Sequence, residues 1–200
     1  LFLETTATKI IKQTFSLHNK ADSNYKQSLY STPLLANGEF DAGEIISTPK
    51  NFLTVMSYAS DKLEAFMEKH GINIKDPSIR NSTKFLAVNL RSAPIVAALS
   101  LLLGYDFLVI DHLGPNHKLF NLDFDKKSFD ERNYVYVGDF LIAGTEVRIA
   151  QNYINFLGGK LQHVFVLGSY LEHSDNRFAN KFEYEYILPL RSVTHYKISF

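Results

Sequence analysis

The chain has 200 residues, 46% of them hydrophobic, and its 21 Lys and Arg balance 21 Asp and Glu. That size suits one α/β domain burying roughly 70% of its unfolded surface, and a neutral chain argues against a broad nucleic-acid or membrane footprint. The absence of cysteine excludes disulfides, thiolate catalysis and thiolate metal sites, and fits a reducing, cytoplasmic setting.

Taken in order, Thr5 to His18 has helical spacing, with Ile10, Ile11, Phe15 and Leu17 roughly on one side. Leu29 to Phe40 reads as extended, and Asn37-Gly38 within it is a hairpin signal. Thr48-Pro49 opens a long helix, since Thr can cap and Pro suits the first helical position. Phe52, Val55, Met56, Ala59, Leu63, Phe66 and Met67 repeat at helical spacing until Gly71. Lys84 to Leu90 is a strand. Arg91-Ser92-Ala93-Pro94 then turns into an apolar helix through Leu103-Gly104. Asp106 to Ile110 is another strand, and Lys118 to Lys127 is polar with alternating Phe120, Leu122 and Phe124. After a further strand come a helix from Glu146 to Leu157, a Gly158-Gly159 stop, and strands at Leu161 to Gly168 and Glu183 to Leu190. Alternation of strands and helices predicts a parallel sheet. No apolar run approaches the ~20 residues of a membrane span.

Chemistry concentrates in Tyr134-Val135-Tyr136-Val137-Gly138-Asp139-Phe140-Leu141-Ile142-Ala143-Gly144-Thr145-Glu146. An apolar strand ends in an acid, a loop of small residues follows, and a helix opens. Such a loop offers several N–H groups to one point, and the helix dipole adds positive potential there, so it suits a phosphate. Asp139 beside it can accept hydrogen bonds from sugar hydroxyls. Each feature has a plainer reading: Asp139 as a helix cap, and Ala143-Gly144-Thr145 as a tight turn.

This segment resembles the phosphoribosyl-diphosphate (PRPP) signature of type I phosphoribosyltransferases, in the form used by orotate phosphoribosyltransferases. Asp139 matches the second of two acids and Ala143-Gly144-Thr145 matches the loop. Gly138 stands in place of the first acid, and Ile142 in place of a hydroxyl residue. Asn89-Leu90-Arg91-Ser92-Ala93-Pro94 resembles the family's diphosphate loop, with Arg91 and Pro94 fitting and Ser92 replacing a glycine. Phe40-Asp41-Ala42-Gly43-Glu44 and Tyr186 to Val193 resemble parts of a small hood over the base.

The resemblance implies a single domain spanning 1–200, with a central parallel sheet flanked by helices, a hood at about 25–45 and 183–200, and a core at about 48–170. It implies that Ala143, Gly144, Thr145 and Glu146 hold a 5′-phosphate beside Ile142, with the Glu146 side chain free to point outward. Asp139 would hold ribose hydroxyls, and Arg91 with Ser92 would meet diphosphate. His117 or Lys118 would be the catalytic cation of a closing loop, although both also read as solvated loop residues. Mg²⁺ is expected, held mainly by PRPP oxygens, and so is a homodimer.

Three functions follow. One is transfer of 5-phosphoribose to or from a nitrogenous base. The second is a degenerate PRPP- or nucleotide-binding module or subunit, which Gly138 and Ile142 favour. The third is an unrelated doubly wound enzyme with another phosphate ligand, although neither common nucleotide-loop motif is present.

Overall fold

The structure is a computed structural model describing residues 2–17, 26–29, 32–36, 38–72, 76–110, 132–171, 182–193 and 198–199. Helix α1 (Phe2–Gln13) leads into strand β1 (Phe15–Leu17). The helix stops short of the predicted His18 because Thr14 turns back, its Oγ1 donating to the Ile11 carbonyl at 2.8 Å, and Phe15 then pairs with Phe40. Next come β2 (Lys26–Leu29), β3 (Thr32–Ala36) and β4 (Gly38–Phe40). Asn37 lies outside the described residues. The predicted hairpin does not form across it, since β3 pairs with β2 whereas β4 pairs with β1. Gly38 serves this second pairing, because a Cβ there would run into the Ser16 carbonyl.

Helix α2 (Ala42–Ile46) is capped by Asp41, whose carboxylate accepts from the Gly43 N–H at 2.8 Å. The long α3 (Pro49–Lys69) matches its predicted pattern, although Thr48 makes no side-chain cap. A short α4 (Pro77–Ser82), capped by Asp76, precedes β5 (Thr83–Val88). Then follow α5 (Ala93–Leu103), β6 (Asp106–Ile110), β7 (Asn133–Leu141), α6 (Thr145–Phe156), β8 (Lys160–Ser169), β9 (Glu183–Pro189), a 3-10 turn at Leu190–Ser192, and β10 (Ile198–Ser199).

Five strands form one parallel sheet in the order β6-β5-β7-β8-β9. Residues Glu183–Pro189, expected in the hood, are therefore its edge strand. Among the described residues of that C-terminal stretch, those of β10 join the small antiparallel sheet β10-β3-β2. Alternation sorts the side chains. Phe85, Ala87, Val135, Val137, Phe165 and Leu167 face the core shared with α1, α3 and α5. Leu86, Val88, Tyr134, Tyr136, Val164 and Val166 face the opposite core, where Val147, Ala150 and Ile154 of α6 pack.

This order positions the site. From β5 the chain goes outward to β6 and then returns to the other side of β5 as β7. The carboxyl ends of β5 and β7 thus diverge at a topological switch point, where open α/β sheets form their ligand crevice.

Candidate functional site

β7 is the central strand, paired on both sides and almost wholly buried, and it carries Asp139 near its carboxyl end. The chain then bends through Ile142 and Ala143 to Gly144, the residue before α6, at φ 71°. That left-handed conformation suits glycine, which has no Cβ to clash. α6 starts without a side-chain cap. The N–H groups of its first turn therefore lack intrahelical acceptors and remain available to an anion. Val147, Ala150 and Ile154, all fully buried, anchor the helix behind the bend.

A cleft of about 150 Å³ opens here. Arg91, Asp139, Ile142, Ala143, Gly144, Thr145 and Glu146 all line it, so the loop after β5 and the bend after β7 meet there. Ser92 does not reach the cleft. It is completely buried, and its hydroxyl lies 3.5 Å from the Asp139 carboxylate, which it supports from beneath. His117 and Lys118 lie outside the described residues.

Glu146 also departs from expectation. Its carboxyl turns inward, accepting from the Asn89 side-chain amide at 2.6 Å and from the Tyr136 hydroxyl at 2.9 Å. The two donors come from different elements, Asn89 from the loop after β5 and Tyr136 from β7, and together they draw the carboxyl in. Burial, aided by the nearby Asp139 charge, lifts Glu146 from 4.5 to about 7, against the two donors and Arg91. Asp139 is also raised, chiefly by burial, although the Phe140 N–H donates to it at 2.7 Å and Arg91 opposes the shift. Tyr136 is pushed well above 10 by burial and then by Glu146 and Asp139, so it stays a neutral donor.

Sequence reasoning missed Asn89 and Tyr136. Asn89 adopts φ 83°, and its Oδ1 accepts from the N–H groups of Arg91 at 2.8 Å and Ser92 at 3.0 Å. Its amide nitrogen meanwhile grips Glu146, so one side chain ties the loop after β5 to the first turn of α6. An Asn two residues before Arg91 is a readable signal for such a turn. Tyr136 had a subtler one. Gly138 shares its face of the strand, and a Cβ at 138 would sit 2.7 Å from Tyr136 Cε1. The Tyr136 ring thus leaves no room for a side chain at position 138.

Among the described residues no group of three or more acidic or imidazole side chains could hold a metal ion by itself. No protein-family model and no curated sequence matches the chain. Solved structures do match. Adenine phosphoribosyltransferase from Saccharomyces cerevisiae is similar at 14% identity and TM-score 0.60, over 92% of this chain and 99% of that one. Orotate phosphoribosyltransferase from Aeropyrum pernix is similar at 12% identity and TM-score 0.59, over 96% of each. A phosphoribosyltransferase from Corynebacterium diphtheriae is similar at 12% identity and TM-score 0.61, over 96% of this chain and 99% of that one.

The chain has the type I phosphoribosyltransferase fold. The shared architecture is the parallel sheet flanked by helices. At these identities the likeness speaks to the phosphoribosyltransferase fold and not to the reaction. Among the described residues no helix is long and apolar enough to cross a membrane.

Proposed function

We propose that the cleft binds PRPP or a nucleotide and transfers 5-phosphoribose to or from a nitrogenous base, with diphosphate as leaving group. One observation carries this reading: an uncapped helix start at Gly144 opens beside Asp139 in a cleft at the switch point. In that role the first turn of α6 receives the 5′-phosphate and the Thr145 hydroxyl assists. Asp139 accepts from ribose hydroxyls. Arg91, exposed after β5, meets the negative charge that grows on the departing diphosphate. Holding phosphate and hydroxyls together fixes the anomeric carbon for attack. Mg²⁺ fits as a companion of the ligand, whose diphosphate supplies the hard oxygens that the described side chains do not gather. His117 and Lys118 remain the proposed lid cations. A homodimer in the cytoplasm belongs to the same reading. The structure from Saccharomyces cerevisiae holds an imino-altritol bisphosphate with adenine, which supports a sugar phosphate and a base as the ligand classes.

A second reading has its own support. The Tyr136 ring over Gly138 leaves β7 with one acid where the resemblance leads one to expect two, which suits a binding module or a subunit that does not turn over. Titration calorimetry with PRPP and Mg²⁺ should show binding that Asp139→Asn weakens. Unchanged affinity would remove Asp139 from the site. Release of diphosphate on incubation with a panel of bases separates the two readings, since binding without release selects the module.

A further inference from the structure

We propose that an anion enters this cleft together with one proton, and that Glu146 is the group that takes it up. The inference rests on the cleft being a phosphoryl site and goes further in stating its charge chemistry. Among the described residues lining the cleft, Glu39, Asp139 and Glu146 are acidic and Arg91 alone is basic. Glu146 is the second residue of α6, within the same turn that offers its N–H groups. A phosphate dianion there faces a carboxylate at close range in a partly desolvated space.

The carboxylate cannot readily withdraw. Asn89 and Tyr136 hold one oxygen each, and Tyr136 is only 2% exposed, so an outward swing would strand its hydroxyl. Every described element packed around the group is accounted for. β7 presents Tyr136 and Asp139; Asn89 and Arg91 come from the loop after β5; β4 brings Glu39 to the cleft. β8 contributes apolar Val164 and Val166 to the core beneath α6. On the helix itself, Arg148 Nη2 donates to the Ala143 carbonyl at 3.2 Å. Among the described residues lining the cleft, the exposed Arg91 is the one cation near Glu146.

Protonation resolves the conflict at little structural expense. Neutral Glu146 keeps an acceptor for Asn89 and gains an O–H that can point to Tyr136, whose own hydroxyl then turns round, or to the anion. Burial already holds this carboxyl near neutrality at about 7.

The test is calorimetry on the whole chain at pH 6, 7 and 8, in buffers of different ionisation enthalpy. Ribose 5-phosphate and sulfate are the probes. Sulfate does not titrate near neutrality, so any proton it brings must reside on the protein. The expected result is uptake approaching one proton per ligand at pH 8, for both probes, and affinity falling up to tenfold per pH unit above 7. Glu146→Gln should abolish the uptake and bind at pH 8 as tightly as the wild type does at pH 6. Zero uptake by the wild type overturns the inference without reference to the variant. Uptake that survives Glu146→Gln but vanishes in Asp139→Asn overturns the assignment to Glu146. If neither probe binds at any pH, the phosphoryl reading itself is lost, which distinguishes that failure from this one.

Discussion

Replacing Glu146 by Gln should stabilise the ligand-free fold in mild alkali and leave it nearly unchanged in acid. The carboxyl ionises near 4.5 when unfolded and near about 7 when folded. Between those values the folded state binds more protons, so stability falls as pH rises, and the whole penalty is present above about 7. A separation of about 2.5 pH units at roughly 1.4 kcal/mol each amounts to about 3.5 kcal/mol. Partial exposure to solvent reduces that to about 1–2 kcal/mol. Gln removes the charge and still satisfies its neighbours. Its oxygen accepts from Asn89, and its amide donates to the Tyr136 oxygen once that hydroxyl reverses. Urea denaturation at pH 5 and pH 8 reads the effect. With an m-value of about 2 kcal/mol/M, the midpoint of the variant should exceed that of the wild type by roughly 0.5–1 M at pH 8 and by only about a quarter of that at pH 5. An equal difference at both pH values, or a variant weaker at pH 8, would refute the electrostatic account.

Two further outcomes test the backbone around the cleft. Gly138→Ala places a Cβ 2.7 Å from Tyr136 Cε1 and should lower stability by about 1–3 kcal/mol in thermal melts. In a Tyr136→Leu background most of that loss should disappear, so additive effects would show that the ring is not what excludes a side chain. Gly144→Ala puts a Cβ on a residue at φ 71°, which should reduce stability by about 1 kcal/mol and weaken ribose 5-phosphate binding severalfold in calorimetry. Undiminished binding would mean that the bend can relax without moving the N–H groups.

Much of the scaffold was legible because its signals are local. The apolar repeat from Phe52 to Met67 specifies α3, and the run ending at Asp139 specifies a buried central strand. The pairing of the ends was less legible. Phe182, Tyr184 and Tyr186 alternate as a half-buried strand should, yet nothing in that alternation says whether the partner is a hood or β8. The Asn37-Gly38 signal likewise states a turn preference, whereas β1 and β10 decided which strands flank it. Strand pairing depends on surfaces distant in sequence, and a short segment does not encode them.

The amino-acid order by itself determined that an acid ends a buried strand, that a glycine bend follows, and that a helix opens there. These depend on side-chain volume and backbone freedom within a few residues. Tertiary structure decided that Glu146 points inward, that Ser92 lies beneath Asp139, and that Tyr136 covers Gly138. Asn89 lies 57 residues from the carboxyl it grips. The protonation of Glu146 therefore depends on donors and on a low-dielectric surround assembled only when β5 and β7 lie side by side.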